Sequence, residues 1–572
     1  MSATRPRYAI GLDFGTESAR ALLVNVADGA IAATAVSQYA HGVMDRALPD
    51  GTPLGHEWAL QHPQDYLDSL AEAVRAVACE AGAKAEDVVG IGVDFTSCTI
   101  LPTDADNVPL CLHDRFRKAP NAWVKLWKHH AAQPQADRMT ELAVARKEGW
   151  LRVYGYRLSS EWLIPKTLQI VEESPEVYDA AAHVIEAGDW VVQQLVGRHG
   201  ATAPRSACNA GYKACYVKSE GGYPSKEFLR ALHPALETLV ETRLAGAILP
   251  PGARAGGLTA EWARRLNLRP GTPVGVEIID AHAAVPGCGV SAPHEMVMVM
   301  GTSTCHMMNS RERAFVPGVA GVIEDGILPR LYGYEAGQAC VGDHFAWHVR
   351  QGLPDDYRKE AEARGLNAHQ LLTEKAARQR PGQHGLVALD WWNGNRSTLM
   401  DANLTGLMLG FTLATRPEDI YRALIEATAY GTRVIIEAFE GDGVRVDGLV
   451  ACGGLAARNE MLMQVYADVL ARPIRVAAAE HTSALGAAIL GAVAAGADGG
   501  WRDVGEAAER MVSPPTRTFR PIAEHAAVYD RLYAEYAALH DHFGRGGNDV
   551  MKRLKAIRAE AAGNQQPAEN AE

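Results

Sequence analysis

The chain of 572 residues lacks paired cysteines. Its nine cysteines are scattered, with none in a Cys-x-x-Cys pair. That pattern excludes a disulfide-stapled scaffold and reads as a reduced, cytoplasmic protein. Long apolar runs are missing too. None approaches the roughly 20 residues of a membrane-spanning helix. The start of the chain has no apolar segment of signal-peptide length. No membrane partner is therefore expected. Basic excess is absent: the net charge is −12. A nucleic-acid partner, which needs a basic footprint, is not expected either. A single locally positive pocket for ATP remains compatible with that charge. Gly-Lys occurs nowhere, so there is no Walker phosphate loop.

What is present is an ordinary globular composition, with 47% hydrophobic residues, enough to bury more than one core. The first landmark is Ala9 to Arg20, AIGLDFGTESAR. An apolar strand ends at Asp13, turns through Gly15 and Thr16, and returns as a second strand. Glycine lets backbone N–H groups approach an anion, and Thr16 adds a hydroxyl donor. Asp13 cannot face a phosphate without a cation between them. The stretch therefore suggests a nucleotide phosphate with Mg²⁺, which Asp13 reaches directly or through water. A surface hairpin with an ordinary turn has the same pattern. The second landmark is Glu295 to Thr304, EMVMVMGTST, where another apolar strand ends in Gly301 and Thr302. The same device used twice implies two similar α/β halves across a cleft, each contributing one phosphate turn.

Between these landmarks the patterning predicts a helix over 63–81 and a buried strand over 88–95. That strand ends in Asp94, Thr96, Ser97 and Cys98, at the carboxyl end where open α/β sheets bind ligands. The spacing of Trp123, Leu126 and Trp127 predicts a helix over 121–148. Residues 207–216, ACNAGYKACY, read as a loop, and 271–289 as a strand ending at Asp280. Later elements include long helices over 416–440, 483–495 and 526–543. Three patterns mislead. Asp13-Phe14-Gly15 spells a protein-kinase magnesium motif without that family's other loops. Gly287-x-Gly289 precedes a strand instead of following one, so it reads as a turn. His344 and His348 have no third ligand nearby and read as structural.

Asp280 is the acid of most interest. A carboxylate there can take a proton from an attacking hydroxyl while a phosphoryl group leaves ATP in line. It also suits a helix N-cap. Lys213 and Glu335 sit among small residues and on residues alone read as surface charges. Gly453-Gly454 allows close approach to a flat ring, or is a tight strand-to-helix turn.

The segments GLDFGTES, GVDFTSCT at Gly92, MGTST at Met300 and CGGLAARN at Cys452, with the Asp280 segment, resemble the FGGY carbohydrate kinases over nearly the whole chain. More specific segments resemble the branch of that family acting on L-ribulose. They are LWKHHAA at Leu126, LSSEW at Leu158, AGYKACY at Ala210, GTSTCHMM at Gly301, YEAGQACVGD at Tyr334 and LDWWNGNR at Leu389.

The resemblance implies an α/β fold of two actin-like, ribonuclease H-like ATPase domains with a catalytic cleft between them. It implies residues 1–288 as the sugar-binding domain with the first phosphate hairpin and 289–545 as the domain with the second hairpin and the adenosine side; residues 546–572, polar and charged by composition, read as a frayed helix followed by a disordered tail. It implies ATP-dependent phosphorylation of L-ribulose at its 5-hydroxyl in L-arabinose breakdown. Asp280 matches the general base, and Lys213, Glu335 and the Ser97–Cys98 turn match sugar-holding positions. Asp13, Gly15 and Thr16 match the first phosphate and Mg²⁺ hairpin; Gly301, Thr302 and Ser303 match the second. Gly453, Gly454 and Asn459 match the adenosine side. One departure stands out: the family's Trp-x-Asp-x-Arg segment is replaced by Trp127 followed by Lys128, His129 and His130. Direct transfer of those sugar contacts from other branches is therefore unsafe. A kinase for D-ribulose, xylulose or ribitol, or an actin-like ATPase switch without a sugar, remain the alternatives. A homodimer is left open.

Overall fold

The computed structural model describes residues 5–563. Its frame is two seven-stranded sheets. In the first, strand Tyr8–Phe14 pairs antiparallel with Ser18–Asn25, which pairs antiparallel with Ile31–Gln38. On its other side Tyr8–Phe14 runs parallel to Val88–Phe95. Pro273–Gly275 runs parallel to that strand, and Arg254–Gly257 closes the edge antiparallel. The central strand Val88–Phe95 is buried along its whole length, which is why it reads as a continuous apolar run.

The second sheet repeats this order and these directions. Glu295–Met300 pairs antiparallel with Thr304–Ser310, which pairs antiparallel with Tyr332–Gln338. Glu295–Met300 runs parallel to Gly448–Cys452, which runs parallel to Ile474–Val476, with Arg517–Phe519 antiparallel at the edge. Six strands thus correspond one to one in order and direction. The expected duplication is present in the topology, although the sequence match behind it is only a few residues long.

Two helices tie the sheets together. Helix Asp280–Gly287 follows the first sheet and touches strands of both. Helix Thr482–Ala495 follows the second sheet in the chain but packs on the first, against Tyr8–Phe14 and Val88–Phe95. The division expected at residue 288 is therefore crossed by one helix. Close approach is what the small residues are for. A Cβ on Gly11 would lie 1.9 Å from the Ala484 carbonyl oxygen, and one on Gly92 1.8 Å from that of Ala487. The two helices also cross each other at contact. A Cβ on Gly486 would lie 1.8 Å from the Ala283 carbonyl oxygen, and one on Gly287 1.9 Å from that of Thr482.

Two local expectations are corrected. Residues 121–148 are not one helix: Val124–Lys125 is a short strand paired with Leu60–Gln61, and the helix is Gln133–Ala145. The aromatic spacing at 123–127 mimics a helix face, but strand pairing and burial of Lys125 under the Trp58 ring win over it. Residues 207–216 are not a loop, because Ala207–Lys213 is a fully buried helix. The Ser206 side chain caps it by accepting from the Asn209 N–H. A Cβ on Gly211 would lie 2.2 Å from Ile323 Cγ2, so a larger residue there would force Ile323 to shift. Of the tail, Val550–Gly563 is helical, with Met551 buried; residues 564–572 lie outside the described residues. Among the described residues no helix is long and apolar enough to cross a membrane.

Candidate active site

The turn that holds Gly15 and Thr16, the first of the two expected phosphate turns, joins Tyr8–Phe14 to Ser18–Asn25. The Gly15 N–H donates to the Ser18 carbonyl at 3.0 Å, and the Tyr39 hydroxyl donates to the Gly15 carbonyl at 3.1 Å. Gln61 Nε2 donates to the Thr16 carbonyl at 2.6 Å. Trp127 Nε1 donates to Thr16 Oγ1 at 3.1 Å. The Thr16 hydroxyl is thereby oriented and still has its own hydrogen to give. Trp127, where the sequence departs from the family's usual segment, thus braces the Gly15–Thr16 turn.

Asp13 accepts from Arg20 Nη1 at 2.9 Å. Its register partner on the neighbouring parallel strand is Asp94, which places both carboxylates on one face. Asp94 is fully buried, and neither of its oxygens has a hydrogen-bond donor. Burial first, then the charges of Asp13 and Asp280, push the Asp94 carboxyl well above its ordinary range. A divalent cation would favour the ionised form, and the bare Asp94 oxygens beside Asp13 would then be ligands suited to it. In the sequence Asp94 shows only as an acid at a strand end. Only the register reveals its neighbour.

Asp280 opens helix Asp280–Gly287, and Oδ1 accepts the Ala281 N–H at 2.7 Å. It occupies the first helical position and not the cap, which is Ile279. Burial, then the charge of Asp13, push its pKa up to about 7, against the pull of the Ala281 N–H and Lys213. A carboxylate with that value holds and releases a proton near neutrality.

Lys213 and Glu335 are not surface charges. Lys213 Nζ donates to both oxygens of Glu335, at 2.9 and 2.8 Å, from the end of a helix to a strand of the other sheet. Both side chains are buried, at 7% and 10% exposure. Burial opposes the ammonium, but Glu335 outweighs it and holds Lys213 above its usual value. Burial likewise opposes the Glu335 carboxylate, and Lys213 and His282 hold it low. His282 Nε2 lies 3.4 Å from Glu335 Oε2, and the His282 ring packs on Tyr212 at 4.5 Å. His282 was missed by sequence reasoning, although it stands two residues from Asp280.

Cys98 takes a left-handed conformation, φ 58°. Buried Lys166 holds it there by donating to the Cys98 carbonyl at 2.6 Å and to the Leu126 carbonyl at 2.7 Å. The Ser97 carbonyl accepts from the Thr99 hydroxyl at 3.2 Å. Burial pushes the Cys98 thiol up to about 12, so it stays neutral.

The turn Gly301–Ser303, the second expected phosphate turn, is buttressed by the start of helix Gly342–Gly352. The Val341 N–H donates to the Thr302 carbonyl at 2.8 Å, and the Gly301 N–H to the Ser303 carbonyl at 2.9 Å. Gly453 has φ 89°, and a Cβ there would lie 2.4 Å from the Met300 carbonyl oxygen. The glycine pair is thus seated against the strand that feeds the second turn, and Gly454 faces open space. Asn459 caps helix Glu460–Leu470, its Oδ1 accepting the Leu462 N–H at 2.9 Å.

Comparison with known proteins places the chain in a family. Residues 8–285 match the N-terminal domain, and 296–495 the C-terminal domain, of the FGGY family of carbohydrate kinases. A ribulokinase of Halalkalibacterium halodurans is 53% identical over 97% of this chain and 98% of its own length. One from Mycolicibacterium smegmatis is 48% identical over 97% of each. The fold matches the solved xylulose kinase of Lactobacillus acidophilus with a TM-score of 0.77 at 17% identity, over 94% of this chain and 99% of that one. Family models that span both halves, with relatives about half identical over nearly the whole chain, lead to one assignment: the chain belongs to the FGGY family of carbohydrate kinases.

Proposed function

We propose that this chain transfers the γ-phosphoryl group of ATP to the 5-hydroxyl of L-ribulose, with Asp280 as general base, in L-arabinose breakdown in the cytoplasm. The observation that carries the reading is the placing of Asp280. Among neighbouring charges Asp13 acts on it most strongly, and Lys213 and Glu335 act on it as well. The ribulokinase name of relatives about half identical to the chain favours L-ribulose over other ketoses.

On this reading residues 1–288 carry the sugar side and the first phosphate turn, and 289–545 the second turn and adenosine side. Helix Thr482–Ala495 returns to the first sheet. Lys213 and Glu335 bind sugar hydroxyls between the two lobes, and the Cys98 turn held by Lys166 closes one side of the pocket. The Gly15–Thr16 and Gly301–Ser303 turns present N–H and hydroxyl donors to the phosphates. Asp13, with Asp94 beside it, would hold Mg²⁺, which offsets phosphate charge. Gly453 and Gly454 admit the adenosine. Asn459 supports that wall as a helix cap. Asp280 takes the proton of the attacking hydroxyl as it is held in line.

The test is catalytic efficiency over L-ribulose, D-ribulose, xylulose and ribitol. L-ribulose is expected to lead, and a clear lead by another substrate overturns the assignment. The pH profile has a defined sign. Only ionised Asp280 can accept the proton, and its pKa is raised to about 7. Turnover should therefore be flat above neutrality and fall tenfold per pH unit on the acid side. A bound cation pulls the carboxyl down, so the midpoint should lie at or below 7. A rate unchanged down to pH 5 would contradict the base role.

A further inference from the structure

Two charged side chains near this site have no partner among the described residues. Glu161 lies in the segment between the 3-10 helix Gly149–Tyr154 and helix Leu163–Glu173. It is half-buried, and among the described residues its carboxylate makes no hydrogen bond or ion pair; only its backbone N–H is engaged, by Ser159 Oγ. Arg396 follows strand Val387–Leu389 in the other half of the molecule. It is also half-buried, and among the described residues its guanidinium has no acceptor. Both belong to the segments LSSEW and LDWWNGNR, which the catalytic scheme leaves without a role.

Their placement is specific. A Cβ on Gly337 would lie 3.2 Å from Arg396 Cδ and 3.6 Å from Nη1. Arg396 therefore lies along strand Tyr332–Gln338, and Gly337 shares a face with Glu335, two residues back. The two segments meet across the lobes: Arg157 Nη1 donates to the Met400 carbonyl at 2.8 Å. Gly155 packs on the same methionine, where a Cβ would lie 2.8 Å from Met400 Sδ. Glu161 is four residues beyond Arg157, and Arg396 four before Met400. Among neighbouring charges Glu161 acts most strongly on Arg396, and it also acts on Lys213 and Cys98. An unengaged carboxylate and an unengaged guanidinium thus border the Lys213–Glu335 pair from opposite lobes.

We propose that Glu161 and Arg396 form the far wall of the sugar pocket, a cross-lobe pair that binds the ketose hydroxyls remote from the reacting one and selects the sugar. This rests on the ketose-kinase reading above. The carboxylate accepts from a sugar O–H and the guanidinium donates to a sugar oxygen, both as charge-assisted hydrogen bonds. A wall built this way discriminates strongly, because a sugar lacking the matching hydroxyl leaves a buried polar group unpaired. Each residue contributes half of one subsite, so losing either should cost about as much as losing both.

The experiment is a double-substitution cycle with Glu161→Gln, Arg396→Gln and the pair together, plus Arg396→Lys. KM and kcat are measured for the best sugar and for MgATP, with sugar binding by calorimetry in the absence of nucleotide. Each Gln variant should raise the sugar KM and Kd at least tenfold. MgATP KM should be unchanged and kcat should stay within threefold. The double variant should be no worse than the worse single, and Arg396→Lys should recover part of the loss. Unchanged sugar KM and Kd overturn the proposal. So do additive effects, or a fall in kcat with unchanged KM. Because the cycle is run on whichever sugar the unsubstituted enzyme prefers, a sugar other than L-ribulose would fail the substrate assignment without failing this test.

Discussion

Asp280→Asn should abolish sugar phosphorylation while leaving ATP binding intact. A positioned general base contributes roughly 10²–10⁴ in rate, so kcat should fall by about a thousandfold. The amide keeps an oxygen that can accept the Ala281 N–H, so the helix start is preserved. It cannot take a proton. The same change should not lower stability. Burial and the charge of Asp13 disfavour the ionised form of Asp280, and a neutral isostere removes that conflict. The raised carboxyl favours folding while it is protonated and loses that contribution as pH rises from the ordinary carboxylate range through about 7. Above neutrality Asp280→Asn should therefore melt at the same or a higher temperature than the unsubstituted protein. A dead, well-folded, ATP-binding variant is the expected result. Retained sugar phosphorylation would remove Asp280 from the base role.

The second large effect lies away from the chemistry. Gly486→Val should cripple turnover and lower the melting temperature. Its Cβ would lie 1.8 Å from the Ala283 carbonyl oxygen, which is backbone and cannot swing aside. Helices Asp280–Gly287 and Thr482–Ala495 must then separate. Overpacking of this kind costs roughly 1–3 kcal/mol or more. Asp280 is the first residue of the displaced helix, and a misplacement of about 1 Å can cost about a hundredfold in rate. We expect kcat to fall at least that far, with nucleotide binding less affected. Gly441→Ala is the control, since nothing lies within 4 Å of a Cβ there; it should be neutral. A Gly486→Val enzyme with normal kcat and melting temperature would contradict the role given to the helix crossing.

The parts of the site that could be read from sequence are those written locally. A strand ending in Gly15-Thr16 and another ending in Gly301-Thr302 carry their chemistry within a few residues. Asp280 sits at a strand end before small residues, and its neighbourhood marks it as well. Lys213 and Glu335 could not be found this way. Their partnership spans 122 residues, and each alone looks like a solvated charge; only the family resemblance pointed to them. Asp94 needed the register of two parallel strands, and Lys166 needed the fold that brings it under the Cys98 carbonyl. The apolar pattern at 123–127 suited a helix, but pairing with Leu60–Gln61 made a strand. At 207–213 glycine and alanine suggested a loop, whereas close packing on Ile323 requires small residues in a helix. In each case a contact distant in sequence overrode the local preference.

The most direct measurement is to incubate the enzyme with ATP, Mg²⁺ and L-ribulose and follow ADP release, locating the phosphate on the product by NMR. ADP formation that is strong with L-ribulose, negligible without sugar, and matched by phosphate on carbon 5 is the predicted result. ADP released equally without sugar, or phosphate on another carbon, would contradict it.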